Sequence, residues 1–176
     1  MQPAPPGISL MGNSRTGPGL NQRGWPRIRN RLFHLYFLAR RPMTLGVRIA
    51  VHDRPSNSVL LVRHTYVPGF QLPGGGVEAG ETMHQAMERE LLEEANVASL
   101  QAPRLVSMHY NRSVSRRDHV ALFVTEHYVR HGPKQPDREI AEAGFFRIDD
   151  LPAETTDATR RRIVELFHGG DTSPYW

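Results

Sequence analysis

The sequence predicts an α/β (α+β) sandwich, a mixed β-sheet with helices packed outside it. Three observations carry that expectation. Strand-like apolar runs dominate residues 44–148. One strongly patterned helix sits among them and a second follows them, so the elements alternate as a layered mixed sheet requires. The chain has 176 residues, of which 39% are hydrophobic and 23% charged, enough for one domain with its own core.

Each element has a local reason. Thr44–His52 reads as a strand. Val59–His64 reads as a second, after the turn around Pro55–Ser58. Gly69–Gly76 is a Gly/Pro-rich loop, FQLPGGG from Phe70 onward. A helix follows over Thr82–Ala95, where Thr82 and Gln85 have capping-box spacing and Met83, Ala86, Met87 and Leu91 can face a core. Leu105–Tyr110 and His119–Tyr128 read as further strands, and Gly144–Ile148 as a short one. Ala158–Phe167 reads as a helix ended by Gly169 and Gly170.

Charge is split along the chain. Residues 1–52 hold eight arginines and no acidic residue, a charge of +8; the other 124 residues carry 14 basic and 18 acidic side chains, a charge of −4. The net +4 therefore comes from an arm on a mildly acidic body, which does not point to nucleic acid as the main ligand. Residues 1–26, rich in Pro, Gly, Asn and Ser, read as a disordered or loosely packed arm. Residues 27–42 read as a basic helix stopped by Pro42. Three readings of that helix stand open: packing on the body, weak contact with an acidic membrane surface, or an organelle-targeting segment. Residues 43–170 are the expected catalytic or binding domain, and 171–176 a C-terminal tail. There is no Cys, which excludes disulfides, thiolate catalysis and Cys-ligated metals and fits a reducing, cytoplasmic compartment.

The chemistry concentrates in Gly75–Val97, GGVEAGETMHQAMERELLEEANV. Glu90, Glu93 and Glu94 stand at i, i+3 and i+4, on one helix face. Three carboxylates so placed repel unless a positive charge lies among them. Arg89 and a divalent cation are the candidates, and hard oxygen donors select Mg²⁺, Mn²⁺ or Ca²⁺. Glu81 precedes the helix and can turn toward the same cluster. The Pro-Gly-Gly-Gly loop allows close backbone approach and offers a carbonyl as a further hard ligand. The alternative for an isolated RELLEE run is an exposed acidic face paired with Arg.

The wider pattern decides between them. Gly75, Glu81, Arg89, Glu90, Leu91, Glu93, Glu94 and Val97 match the Nudix signature, Gly-x5-Glu-x7-Arg-Glu-aliphatic-x-Glu-Glu-x-Gly-aliphatic. Such a coincidence arises by chance in roughly a few windows per 10⁹ at average residue usage. Asn96 replaces the final Gly, and Asn is the next best residue for a left-handed helix end. The chain therefore resembles the Nudix hydrolases over about Thr44–Phe167. The approach LLVRHTYVPGFQLPGGGVE and the late segment EIAEAGFFRIDDLP at Glu139–Pro152 share in the likeness.

The resemblance implies a Nudix α/β/α sandwich. It also implies metal-dependent hydrolysis, with Mg²⁺ or Mn²⁺, of the pyrophosphate linkage in a nucleoside diphosphate joined to another group. Carried over residue by residue, Glu90 and Glu94 are the expected metal ligands with the Gly74 carbonyl, and Glu81 a weaker or water-mediated one. Glu93 is a further ligand or the base, and Arg89 orients the glutamates. Glu139, six residues before Phe145, resembles a loop glutamate that acts as base or ligand, with Glu142 as its alternative. Family members often dimerise, so a homodimer is among the expected states.

Specificity is quieter. Arg63 is a candidate phosphate contact, Phe70 and Tyr110 are candidate base-stacking rings, and Arg112 heads a basic loop that could meet phosphate or base. Each has a plain alternative as a surface or core residue. By resemblance, the ADP-ribose class has a Pro about 16 residues after the box, where this chain has Ser113. The coenzyme A and NADH-type motifs are absent, as is the Gln of the RNA 5′-end pyrophosphohydrolases within LPGGG. The rival class is a non-catalytic Nudix-fold nucleotide-binding module or regulator; such modules usually lose box glutamates, and here all are present.

Overall fold

The computed structural model describes Tyr36 and residues 42–176. Tyr36 is helical and exposed; the rest of the helix expected over 27–42, except Pro42, and the arm over 1–26 lie outside the described residues. The strands are β1 (Thr44–Asp53), β2 (Ser58–His64), β3 (Phe70–Gln71), β4 (Val97–Ser99), β5 (Arg104–Tyr110), β6 (Asp118–Thr125), β7 (Tyr128–Arg130) and β8 (Ile140–Arg147). The helices are α1 (Met83–Ala95), between β3 and β4, and α2 (Asp157–Phe167), after β8.

The main sheet runs β3-β2-β1-β6-β5, and β8 pairs with β2. β1 lies parallel to β6 from Thr44↔Asp118 to Val51↔Thr125, and the other pairings are antiparallel. The sheet is thus mixed, as expected. β1 and β2 pair only at their turn, through His52↔Val59 and Asp53↔Ser58. Beyond it they part and the glycine loop enters beside β1. Val47 N–H donates to the Gly75 carbonyl at 2.9 Å, and Ile49 N–H to the Pro73 carbonyl at 3.0 Å. Val77 N–H donates to the Leu45 carbonyl at 2.8 Å. The loop therefore satisfies backbone groups that a strand would otherwise pair, and it is held from both sides.

Alternation along the strands divides the core in two. Val47, Ile49, Val51, Leu60, Val62 and Phe123 pack with Ala86, Met87, Leu91 and Ala95 of α1. Ala50, Val59, Leu61, Phe70, Leu72 and Leu122 pack with Ile163 of α2. One helix covers each face, which makes the α/β/α sandwich. Helix α1 starts as its sequence predicts: the Thr82 hydroxyl accepts from Gln85 N–H and the Gln85 side chain accepts from Thr82 N–H. It ends at Asn96 with φ 53° and ψ 38°, the left-handed cap expected where the signature has Gly. Asn96→Gly removes that Cβ strain and is expected to stabilise the protein by about 0.5–1 kcal/mol, read as a small rise in Tm.

Several boundaries differ from expectation. The strand expected over His119–Tyr128 breaks after Thr125. There the Thr125 hydroxyl bonds both the N–H and the carbonyl of His127, and the chain resumes as β7 against β4. The late strand is longer than Gly144–Ile148, because β2 offers a full edge along Ser58–His64. β3, β4 and β7 have two or three residues, too few to show a period. The tail is docked on the body: Tyr110 N–H donates to the Pro174 carbonyl at 2.8 Å and Trp176 N–H to the Tyr110 carbonyl at 3.1 Å.

Candidate active site

The site forms where α1 passes the glycine loop. Two glycines there sit in close approach, and at Gly74 the backbone itself requires glycine. Gly74 has φ 137°, and a Cβ on it would collide with the Val47 carbonyl. A Cβ on Gly75 would collide with the Glu90 carboxylate. The bare backbone lets Gly74 N–H donate to Glu94 Oε2 at 2.8 Å. The other Glu94 oxygen lies 3.2 Å from His64 Nε2, and both side chains are buried. Burial pushes the Glu94 carboxyl up to about 7, against the pull of the Gly74 N–H and of Arg48. Burial and the nearby Arg48 charge push His64 below its ordinary value, which favours the neutral ring beside Glu94.

Arg89 gathers the other acids. Its guanidinium meets Glu81 at 3.0 Å, Glu90 at 2.7 Å and, loosely, Glu93 at 3.4 Å. It also donates to the Gly76 carbonyl at 3.1 Å. Glu81 and Glu90 hold the arginine above its ordinary pKa, and the arginine in turn draws Glu81 below its own. Glu90, Glu93, Glu94 and Glu139 then line one cavity of about 410 Å³, with Gly74–Gly76, Arg48, His64, Tyr66, Val67, Gln71 and Arg89. A larger hollow, about 770 Å³, is lined by His52, Arg54, Arg104 and Phe167 among others and holds none of the box residues. Size does not select the site; the converging carboxylates do.

Among the expected site residues, Glu90, Glu93, Glu94, Glu139, Gly74 and Arg89 come together at this cavity. Glu81 does not line it and stays bound to Arg89 and to Glu78 N–H. Glu142, the alternative to Glu139, pairs with Arg63 at 2.8 Å across β2 and β8. Arg63 is thereby engaged outside the carboxylate cavity and lies over the Phe70 ring. Phe70 is 4% exposed and packs edge-on against Phe146, a core ring with no face free for a base. Tyr110 stacks on His119 and pairs with the tail. Arg112 is exposed, over the Tyr175 ring.

Arg48, His64, Tyr66, Val67 and Gln71 also line the cavity and are not among the expected site residues. Arg48 has a visible signal, a lone cation in the apolar alternation of β1, which the reading counted only as charge. Its guanidinium donates to the Leu72 carbonyl at 2.9 Å, and burial lowers its pKa against the pull of Glu94 and Glu90.

The donor set fits a hard divalent cation in kind. Glu94 is a buried carboxylate whose charge is only partly compensated, Glu90 lies beside it in the same cavity, and all donors are oxygens. Among the described residues no three acidic or imidazole side chains already form a cage; Arg89 supplies the counter-charge for Glu81, Glu90 and Glu93.

A mixed sheet between two helices, with a glutamate-bearing helix facing a glycine loop, defines an α/β domain of the Nudix fold. The NUDIX domain family profile matches residues 42–167, and the chain belongs to that family. A protein named NAD-capped RNA hydrolase NudC, from Citrobacter koseri, is 32% identical over 121 residues, which are 68% of this chain and 42% of that protein. Its Yersinia enterocolitica counterpart is 32% identical over 123 residues, 66% of this chain and 44% of that one. The chain thus spans less than half the length of these relatives. Among solved structures, a NUDIX hydrolase from Nitrosomonas europaea superposes with TM-score 0.60 at 23% identity, over 75% of this chain and 93% of that one. A MutT NUDIX hydrolase from Burkholderia pseudomallei gives 0.58 at 24%, over 68% and 95%. At these identities the likeness shows the fold alone. No helix among the described residues is long and apolar enough to cross a membrane.

Proposed function

We propose that this chain is a metal-dependent hydrolase that cleaves the pyrophosphate linkage of a nucleoside diphosphate joined to another group. The observation that supports this most is the convergence of Glu90, Glu93, Glu94 and Glu139 with the Gly74–Gly76 backbone on one cavity. Glu90 and Glu94, with the Gly74 carbonyl, would hold Mg²⁺ or Mn²⁺. Such an ion screens the pyrophosphate charge and makes water a better nucleophile near neutral pH. The protein's own part is division of labour among carboxylates. Glu94 is fixed by Gly74 and His64, and Glu90 by Arg89. Glu93 is 60% exposed with only a 3.4 Å contact to Arg89, so it is free to take a proton from water at the cavity mouth. Glu139, on the facing loop, is the second candidate for that proton. Arg48 places a fixed positive charge in the cavity wall against substrate phosphate.

The substrate is open within this class. The relatives named NAD-capped RNA hydrolase keep a capped RNA among the candidates, against the expectation that nucleic acid is not the main ligand. The deciding experiment is phosphate release in a coupled phosphatase assay with Mg²⁺ or Mn²⁺. The panel holds nucleoside di- and triphosphates, nucleotide sugars, ADP-ribose, NADH, dinucleoside polyphosphates and an NAD-capped oligonucleotide. Metal-dependent turnover is expected on at least one, falling about 10²–10⁴-fold in Glu93→Gln. Binding without turnover across the panel would instead support the non-catalytic nucleotide-binding module.

A further inference from the structure

Beside the carboxylate cavity lies a second hollow of about 440 Å³. The two share His64, Tyr66 and Val67 as walls, so they adjoin along these residues as a groove with unlike ends. The first end carries the glutamates and the arginines Arg48 and Arg89. The second is lined by Thr65, Val67, Pro68, Gly69 and one carboxylate, Glu154, and its one arginine, Arg63, is already paired with Glu142. Among the described residues, Tyr66 is the only Phe, Tyr or Trp in either wall. Its ring centroid sits 5.3 Å from the His64 ring, tilted by 50°, which sets it at the junction of the two ends. It is nevertheless 68% exposed, and the neighbouring Val67 is 38% exposed. A large aromatic left in water beside an apolar neighbour, at the rim of a charged cavity, is a surface waiting for a flat partner.

We infer that this second hollow is the base subsite of the substrate groove, with Tyr66 as the platform on which a nucleobase stacks. The inference rests on the proposed nucleotide hydrolase reading and deepens it. A pyrophosphate-linked nucleotide has the same two unlike ends as the groove: charged phosphates for the glutamate end, a flat heterocycle for the other. Tyr66 thereby takes the part that sequence reasoning gave to Phe70 and Tyr110. Stacking gains affinity without reading base identity, so the subsite favours nucleotides as a class over base-free phosphates.

The test is equilibrium binding of AMP and of ribose 5-phosphate to the full chain by calorimetry, with and without Mg²⁺. The wild type should bind AMP about tenfold tighter than ribose 5-phosphate. Tyr66→Ala should erase that difference and Tyr66→Phe should keep it; circular dichroism checks that both variants fold. Equal binding of the two probes by the wild type, a difference that survives Tyr66→Ala, or no AMP binding at millimolar concentration would each overturn the subsite. The assay needs no turnover. A difference lost in Tyr66→Ala alongside an inactive panel would overturn only the hydrolase reading; turnover with equal probe binding would overturn only the subsite.

Discussion

Glu94→Gln is expected to stabilise the metal-free protein at pH 8 and to abolish phosphate release. The carboxyl is buried, and its folded pKa of about 7 lies above the ordinary 4.5. A carboxyl raised by folding favours the folded state most below its unfolded pKa, and that contribution is lost as pH rises through the folded value. Between 4.5 and about 7 this carboxyl alone should therefore cost up to about 3 kcal/mol. The amide carries no charge, keeps an oxygen for Gly74 N–H, and escapes this penalty. Urea melts at pH 5 and pH 8 would show it. Relative to Glu94→Gln, the wild type should lose stability from pH 5 to pH 8, leaving the variant about 1–3 kcal/mol more stable at pH 8. Saturating Mg²⁺ should restore the wild type and do little for the variant, because only the carboxylate gains from the ion. Equal pH dependence in the two proteins would show that Glu94 is not the group that burial strains.

This division between stability and function explains what the sequence made legible. The glutamates are written in local spacing. Residues at i, i+3 and i+4 share a helix face whatever the rest of the fold does, so Glu90, Glu93 and Glu94 converge as predicted. The capping box and the Asn96 cap are equally local. The groove's other wall depends on pairings far apart in the chain. Arg63 was a reasonable phosphate contact until β8 placed Glu142 directly opposite it. Phe70 was a reasonable stacking ring until its strand turned it into the core beside Phe146. Period 2 sends neighbouring residues to opposite faces, and single-sequence reading cannot tell which face meets the site. His64 and Tyr66 fall on the cavity side of that choice.

The C-terminal tail was the least legible part, and it sets the other large expected effect. Deleting residues 171–176 is expected to cost about 2–3 kcal/mol, because it removes the Tyr175 carbonyl and the Trp176 ring from a buried cation whose ion pair with Glu165 remains. Arg162 is 0% exposed. It donates to Glu165 Oε1 at 2.5 Å and to the Tyr175 carbonyl at 3.0 Å, and its guanidinium lies 2.6 Å from His109 Nδ1. The Trp176 ring lies 5.6 Å from its guanidinium carbon. In sequence it is one of three consecutive arginines within α2, with nothing local to set it apart from Arg160 and Arg161. The cation is buried because the tail folds back over it. A double-mutant cycle separates charge from packing. In an Arg162→Met background the same deletion should cost clearly less, since no buried charge loses its partners. Acid should weaken the arrangement too. Burial and the adjacent Arg162 hold His109 below its ordinary 6.5, so the folded state resists a proton that the unfolded chain accepts. Stability should therefore fall as pH drops below that value, and His109→Gln should flatten the slope. Equal costs of deletion in wild type and Arg162→Met would show that the tail contributes apolar cover alone.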